Sequence, residues 1–181
     1  MLNPVPTSYI YEPPTDPWLQ IVHADERIVV LDKPSGLLSV AGKDPALSDC
    51  LEARVTARFP GAAMAHRLDK DTSGILVMAL DKQALADIGQ QFEKRRTVKS
   101  YLARVWGEVT GDSGVVNLPL ATDWENKPRQ RVDHERGRQS QTEWRVLGRE
   151  AGATRLQLHA EELGFTHPDG TPMKFVSPAP F

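Results

Sequence analysis

The longest strongly apolar run in the chain is Ile75 to Leu80, and it is entered directly from a polar, turn-forming stretch, His66 to Gly74. Such a run is far short of the roughly 20 residues a membrane span needs, and it reads as a strand buried within a sheet. A loop leading into a buried strand stands at the sheet's edge on a rigid base and is open to a ligand, which suits a catalytic residue. This loop carries one arginine, Arg67, and two carboxylates, Asp69 and Asp71. Thr72-Ser73-Gly74 can satisfy their own backbone and allow a sharp entry into the strand. Taken by itself, Asp69 reads first as a turn or capping residue and only second as a catalytic group.

The rest of the chain must supply the layers that bury such a strand. Its 181 residues, 40% hydrophobic and 25% charged, suffice for one domain with a real core. The first eighteen residues hold five prolines and read as an extended, flexible arm (1–18), with ordered structure from 19 to 181. Ile21-Val22 and Ile28 to Leu31 read as short strands. Asp32-Lys33-Pro34-Ser35-Gly36 then forms a tight turn before Leu37 to Val40, a hairpin or strand-turn-strand. Leu47, Leu51, Val55 and Phe59 recur at spacing four, which predicts a helix over 46–59 with Ser48 or Asp44 near its start. Cys50 lies on that helix as inert packing. Asp81 can cap a second helix whose Leu85, Ile88 and Phe92 face the core, ending at Lys94-Arg95-Arg96. Val98 to Trp106 alternates as a strand, and residues 108–138 look polar and irregular. Gln141 to Leu147 and Thr154 to Leu158 read as two more strands. The sum is an α+β domain with a mixed, mainly antiparallel sheet and flanking helices.

Net charge is −2, which by itself speaks mildly against nucleic-acid binding. The distribution is more telling. Residues 1–32 carry five acidic side chains and one basic, whereas 91–138 carry ten basic and seven acidic. Arg95, Arg96, Lys99, Arg129 and Arg131 belong to that second stretch and are candidates to hold a polyanion, if they share a face. One cysteine excludes an intrachain disulfide and fits a reducing compartment. No Lys or Arg precedes Arg27, so the charged start of a secretory signal is missing, and a cytoplasmic location is expected.

His66-Arg67-Leu68-Asp69-x-x-Thr72-Ser73-Gly74 before an apolar strand resembles the signature of RluA-type pseudouridine synthases. Three collinear stretches resemble the same family: Lys33-Pro34-Ser35-Gly36-Leu37, Lys99 to Gly107 around Tyr101, and His159-Ala160 with Phe165-Thr166-His167-Pro168. The resemblance spans roughly 18–181, and it implies the pseudouridine synthase catalytic fold and an isomerase that needs no cofactor and no metal. Asp69 would be the nucleophilic carboxylate, Tyr101 would lie against the uracil, and Arg67 would fill the space the base vacates. His66, Lys99, Arg95, Arg96, Arg129 and Arg131 would contact RNA. On their own, Tyr101 reads as a half-buried strand tyrosine and Arg67 as a surface salt bridge. The short form is similar to dual-specificity members, so a stem-loop of 23S rRNA or tRNA is the expected partner, bound by a monomer with no obligate protein partner.

Other chemistries fit less well. The order His-Arg-Leu-Asp differs from the kinase loop, and no glycine-rich phosphate loop precedes it. The five histidines show no i, i+4 pair, so a zinc site is not expected. A hydrolase would need a paired acid, and nothing places Asp71 in that role. The chain also departs from the family. Between Leu158 and His159 the resemblance implies some forty more residues, including a Gly-Arg-[Thr/Ser]-His-Gln-[Ile/Leu]-Arg-x-His motif whose arginine pairs with the carboxylate. Thr154 to Phe165 also offers no turn residue before Gly164 to separate two strands. Either the stretch belongs to the protein and not to this sequence, or it is a true deletion. A deletion would leave Asp69 without its guanidinium, and the chain a catalytically impaired RNA-binding relic.

Overall fold

The computed structural model describes residues 10–127, 129–149 and 157–181. In chain order the first elements are β1 (Ile21–Ala24), β2 (Ile28–Lys33), α1 (Leu51–Arg58), β3 (Ala63–Met64), β4 (Ser73–Ala79), α2 (Lys82–Glu93) and β5 (Val98–Arg104). They are followed by β6 (Ser113–Thr122), β7 (Gln130–Val132), β8 (Arg138–Arg145), β9 (Gln157–Thr166) and β10 (Pro172–Val176). The described residues fall into two units, 10–104 with 157–181, and those of 105–149.

The first unit is built on a seven-stranded sheet ordered β1-β2-β4-β9-β10, with β3 added to β4 and β5 to β9. Every pairing is antiparallel except β4 with β9, which run parallel through Ser73↔His159 and Gly74↔Ala160. This is the mixed, mainly antiparallel α+β arrangement that the sequence implies. The period of two sorts the central strands onto two faces. Val29 and Leu31 of β2 join Leu76 and Met78 of β4 beneath Leu51 and Val55 of α1. Ile28, Val30, Ile75 and Val77 point the other way, toward Ile88 of α2 and Leu163 and Phe165 of β9. With helices on both faces, all of β4 is buried, and each such aliphatic side chain contributes roughly 1.5–3 kcal/mol.

Local chemistry sets the helix starts. Asp81 accepts a hydrogen bond from the Ala84 amide and caps α2, as its position predicts. α1 begins later than the spacing predicts. Asp44 instead caps a 3-10 turn over Pro45–Leu47, and the N-cap of α1 is Cys50, whose Sγ accepts from the Ala53 amide at 3.4 Å. Leu37 to Val40 is not a strand: the carbonyls of Leu38 and Ser39 take the Leu51 and Glu52 amides at the N-terminus of α1. Residues 10–18 lie against this segment, with the Tyr11 hydroxyl bonded to the Asp49 carbonyl and the Leu38 amide.

The second unit is a three-stranded sheet ordered β7-β6-β8. The polar stretch expected to be irregular therefore contains β6 and β7. The apolar residues of β6 fall at both parities, Val115 beside Val116 and Pro119 beside Leu120, so no period of two marks the strand. No described residue of 105–149 is buried. A further correction concerns the C-terminal strands. No reversal separates Leu158 from His159, because both lie in one continuous strand, β9, paired along its length with β5. Residues 154–156 of the expected strand lie outside the described residues, as do residues 1–9 of the arm.

Candidate active site

The loop from His66 to Thr72 is held through backbone groups of Leu68, Asp69, Lys70, Asp71 and Thr72. Leu68 is buried, and the Ser39 hydroxyl both donates to its carbonyl at 2.6 Å and accepts from its amide at 3.2 Å. The Lys70 carbonyl takes the Gly36 amide at 2.8 Å and Lys33 Nζ at 3.0 Å. The Ser35 hydroxyl donates to the Asp71 carbonyl, and the Thr72 amide closes a turn on the Asp69 carbonyl. With Leu68 turned inward, Arg67 and Asp69 are exposed. Among the described residues the Asp69 carboxylate makes no hydrogen bond or ion pair, so a rigid loop presents a charged group that is open to a ligand.

Two side chains feel that carboxylate. Lys33 is fully buried, and its ammonium donates to the carbonyls of Pro34, Leu37 and Lys70. Burial pushes it down to about 8, while the charges of Asp71 and Asp69 oppose the drop. Tyr101 on β5 is 43% exposed, and partial burial followed by the nearby Asp69 charge raises its phenol, which stays protonated at neutral pH. Asp69, Tyr101 and Lys33 thus belong to one electrostatic neighbourhood.

The exit of the loop is equally fixed. Gly74 has φ +112°, and a Cβ there would stand 2.2 Å from the Ala160 carbonyl oxygen, so only glycine lets β4 meet β9. Beside it, the Ser73 hydroxyl donates to His159 Nδ1 at 2.9 Å, and His159 Nε2–H donates to the Ser177 carbonyl at 3.0 Å. The Ser177 hydroxyl in turn reaches the Asp32 carboxylate. This buried chain ties β2, β4, β9 and the C-terminal segment together.

The remaining candidates are distributed unevenly. His66 Nε2 accepts from the Val77 amide at 3.1 Å, and its ring stacks on Phe92 at 4.3 Å. Burial, and then the charge of Lys99, push it down to about 4, so it is neutral and committed inward. Lys99 is exposed, 5.7 Å from the Phe92 ring, and Arg95 and Arg96 are exposed just beyond the end of α2. Arg129 and Arg131 lie in the second unit, where Arg131 pairs with Asp133 at 3.3 Å. The residues that sequence reasoning missed as site residues are Lys33 and Ser35, read as parts of a strand-turn motif, and Ser39, read as part of the strand expected after it. The available signal was the period of two: Val29 and Leu31 face the core under α1, and Lys33 continues that face.

Comparisons with known proteins agree with this geometry. The family profile described as RNA pseudouridylate synthase matches residues 27–167, which include the whole clamped loop, Lys33 and Tyr101. The chain belongs to that family. Relatives named dual-specificity RNA pseudouridine synthase RluA include one from Vibrio vulnificus, 48% identical over 147 residues, covering 81% of this chain and 59% of that protein. Another, from Yersinia pestis, is 38% identical over 204 residues, covering 89% of this chain and 99% of that protein. Among solved structures, human RNA pseudouridylate synthase domain containing 1 shares the fold with a TM-score of 0.68 at 21% identity, covering 98% of this chain and 87% of that one. The Yersinia pestis alignment spreads about 161 residues of this chain over 204 positions, so about 43 positions of that relative have no counterpart here. The missing stretch is of the size the family resemblance implies.

The family's reaction is the isomerisation of uridine in RNA, which makes RNA the macromolecular partner. Among the described residues no cluster of His, Cys, Asp and Glu is arranged to hold a metal ion. No helix among them is long and apolar enough to cross a membrane.

Proposed function

We propose that residues 19–181 act on a uridine in a stem-loop of 23S rRNA or tRNA, with Asp69 as the reacting carboxylate. The observation that carries this reading is the exposed carboxylate of Asp69, without a hydrogen-bond or ion-pair partner among the described residues, on a loop whose backbone is fixed by Lys33, Ser35, Gly36 and Ser39. A charged group held in one place, with no partner to displace, meets an extruded nucleotide at little reorganisation cost. Asp69 either attacks C1′ or takes the 2′ proton. In both routes the N1–C1′ bond breaks, the uracil turns, C5 bonds to C1′, and the C5 proton leaves as N1 gains one. Tyr101 lies against the base, where an aromatic face contributes about 1–3 kcal/mol, and its protonated hydroxyl assists proton movement at C5. Arg67 occupies the vacated stack.

Lys99, Arg95 and Arg96 of the first unit hold the phosphate backbone of the RNA, and Arg129 and Arg131 of the second unit are separate RNA contacts. His66 has a different task, tying the loop to β4 by accepting from the Val77 amide. The about 43 unmatched positions favour a second reading, a scaffold that binds RNA without isomerising it. The test incubates the protein with unmodified 23S rRNA and tRNA and maps pseudouridine at nucleotide resolution. A new pseudouridine at one defined stem-loop site is the expected result. Salt-dependent binding with no isomerised uridine would establish the second reading instead.

A further inference from the structure

The segment 10–18 touches the clamped loop through intermediates that the reaction itself does not use. The Tyr11 hydroxyl donates to the Asp49 carbonyl at 2.8 Å and accepts from the Leu38 amide at 2.9 Å. That amide is followed by Ser39, whose hydroxyl holds both backbone groups of Leu68, the residue before Asp69. A second connection runs through Pro14, whose Cδ is 3.5 Å from where a Cβ of Gly36 would lie; the Gly36 amide is bonded to the Lys70 carbonyl, just after Asp69. The far end of the segment is pinned as well. Arg54, buried to 2% exposure, donates to the Pro14 carbonyl at 2.8 Å and the Trp18 carbonyl at 3.2 Å. The same guanidinium grips the Asp49 carboxylate with two bonds of 2.7 Å and lies 3.9 Å from the centre of the Trp18 ring. A proline-rich strap is thus fastened at both ends, with its middle against the turn that cradles the Asp69 loop.

From this geometry we infer that Tyr11 is a positioning residue for Asp69, acting through Leu38, Ser39 and Leu68. The physical reason is economy of donors. The Leu38 amide faces no strand partner, and a peptide N–H left without an acceptor there costs about 1–3 kcal/mol. Losing it lets the 37–39 segment relax, and Ser39 moves with it. A displacement of the order of an ångström at the reacting carboxylate lowers the chemical step without changing how RNA is held. Tyr11 is partly buried, and its phenol is raised first by burial, so the hydroxyl keeps the proton it donates to Asp49.

The inference rests on the assignment of Asp69 as the reacting group, and its test separates the two. In the full chain, Tyr11→Phe keeps the ring and removes only the hydroxyl. Expected are a fall in kcat of about tenfold with KM for the RNA unchanged, and faster amide exchange at Leu38 and Leu68 with exchange at Leu76 unaltered. Combined with Ser39→Ala, the loss in kcat is expected to be less than the product of the two single losses, because both act through one path. Unchanged exchange at Leu68 overturns the inference whatever the enzyme's activity, and so does uniformly faster exchange that includes Leu76. Full activity in an Asp69→Ala variant would instead overturn the assignment of Asp69.

Discussion

At the scale of single residues, the candidate site is a carboxylate whose neighbours are arranged around its backbone rather than its oxygens. Lys33 is the clearest case. An ammonium without any water contact is costly, and here three carbonyls compensate while Asp71 and Asp69 supply opposite charge. The folded-state value of about 8 lies below that of a free lysine. Between pH 8 and about 10.5 the unfolded chain therefore keeps a proton that the folded chain has released, and stability rises with pH across that window. The gain is bounded at about 3 kcal/mol. Chemical unfolding of the wild type and of Lys33→Met across pH 7–11 is expected to show this rise only in the wild type; equal slopes would mean that Lys33 is not desolvated. Asp69 was legible through the family resemblance of His66 to Gly74, for by itself it reads first as a turn or capping residue. Lys33 was less so, since a lysine at the end of a strand ordinarily points to solvent, and only the two-residue period of β2 indicates otherwise.

At the scale of elements, the parallel contact between β4 and β9 carries the site. It is short, two residue pairs, and requires Gly74 with its positive φ against the Ala160 backbone. Gly61 also has positive φ, but a Cβ there would meet nothing within 4 Å. Gly61→Ala is therefore expected to cost about 1 kcal/mol from backbone strain alone, and Gly74→Ala about 3 kcal/mol or more, since strain and collision add. Thermal unfolding of both variants checks this, and equal shifts would contradict the close approach. The buried strand, the Asp81 cap and the presence of β5 could all be read from local pattern, although β5 does not alternate in burial. The beginning of α1 could not, because Cys50 is a weak and uncommon cap, and the stronger signal at Asp44 serves a 3-10 turn instead. The continuity of β9 was half legible: no turn residue stands between Thr154 and Gly164, yet the family resemblance implied two separate strands there.

At the scale of the whole molecule, the family match runs through both units, while the seven-stranded sheet, both helices and the clamped loop belong to the first. The charge asymmetry that pointed to a polyanion holds there too, with Lys99, Arg95 and Arg96 exposed together at the end of α2 and the start of β5. The second unit was the part least legible in the sequence, for a three-stranded sheet with no buried residue writes little hydrophobic pattern. The most direct test is release of the C5 hydrogen from a stem-loop RNA carrying C5-tritiated uridine, compared between the wild type and Asp69→Asn. Release by the wild type, reduced at least about a thousandfold in the variant while both bind the same RNA equally, is the predicted result. Comparable release by Asp69→Asn would contradict it.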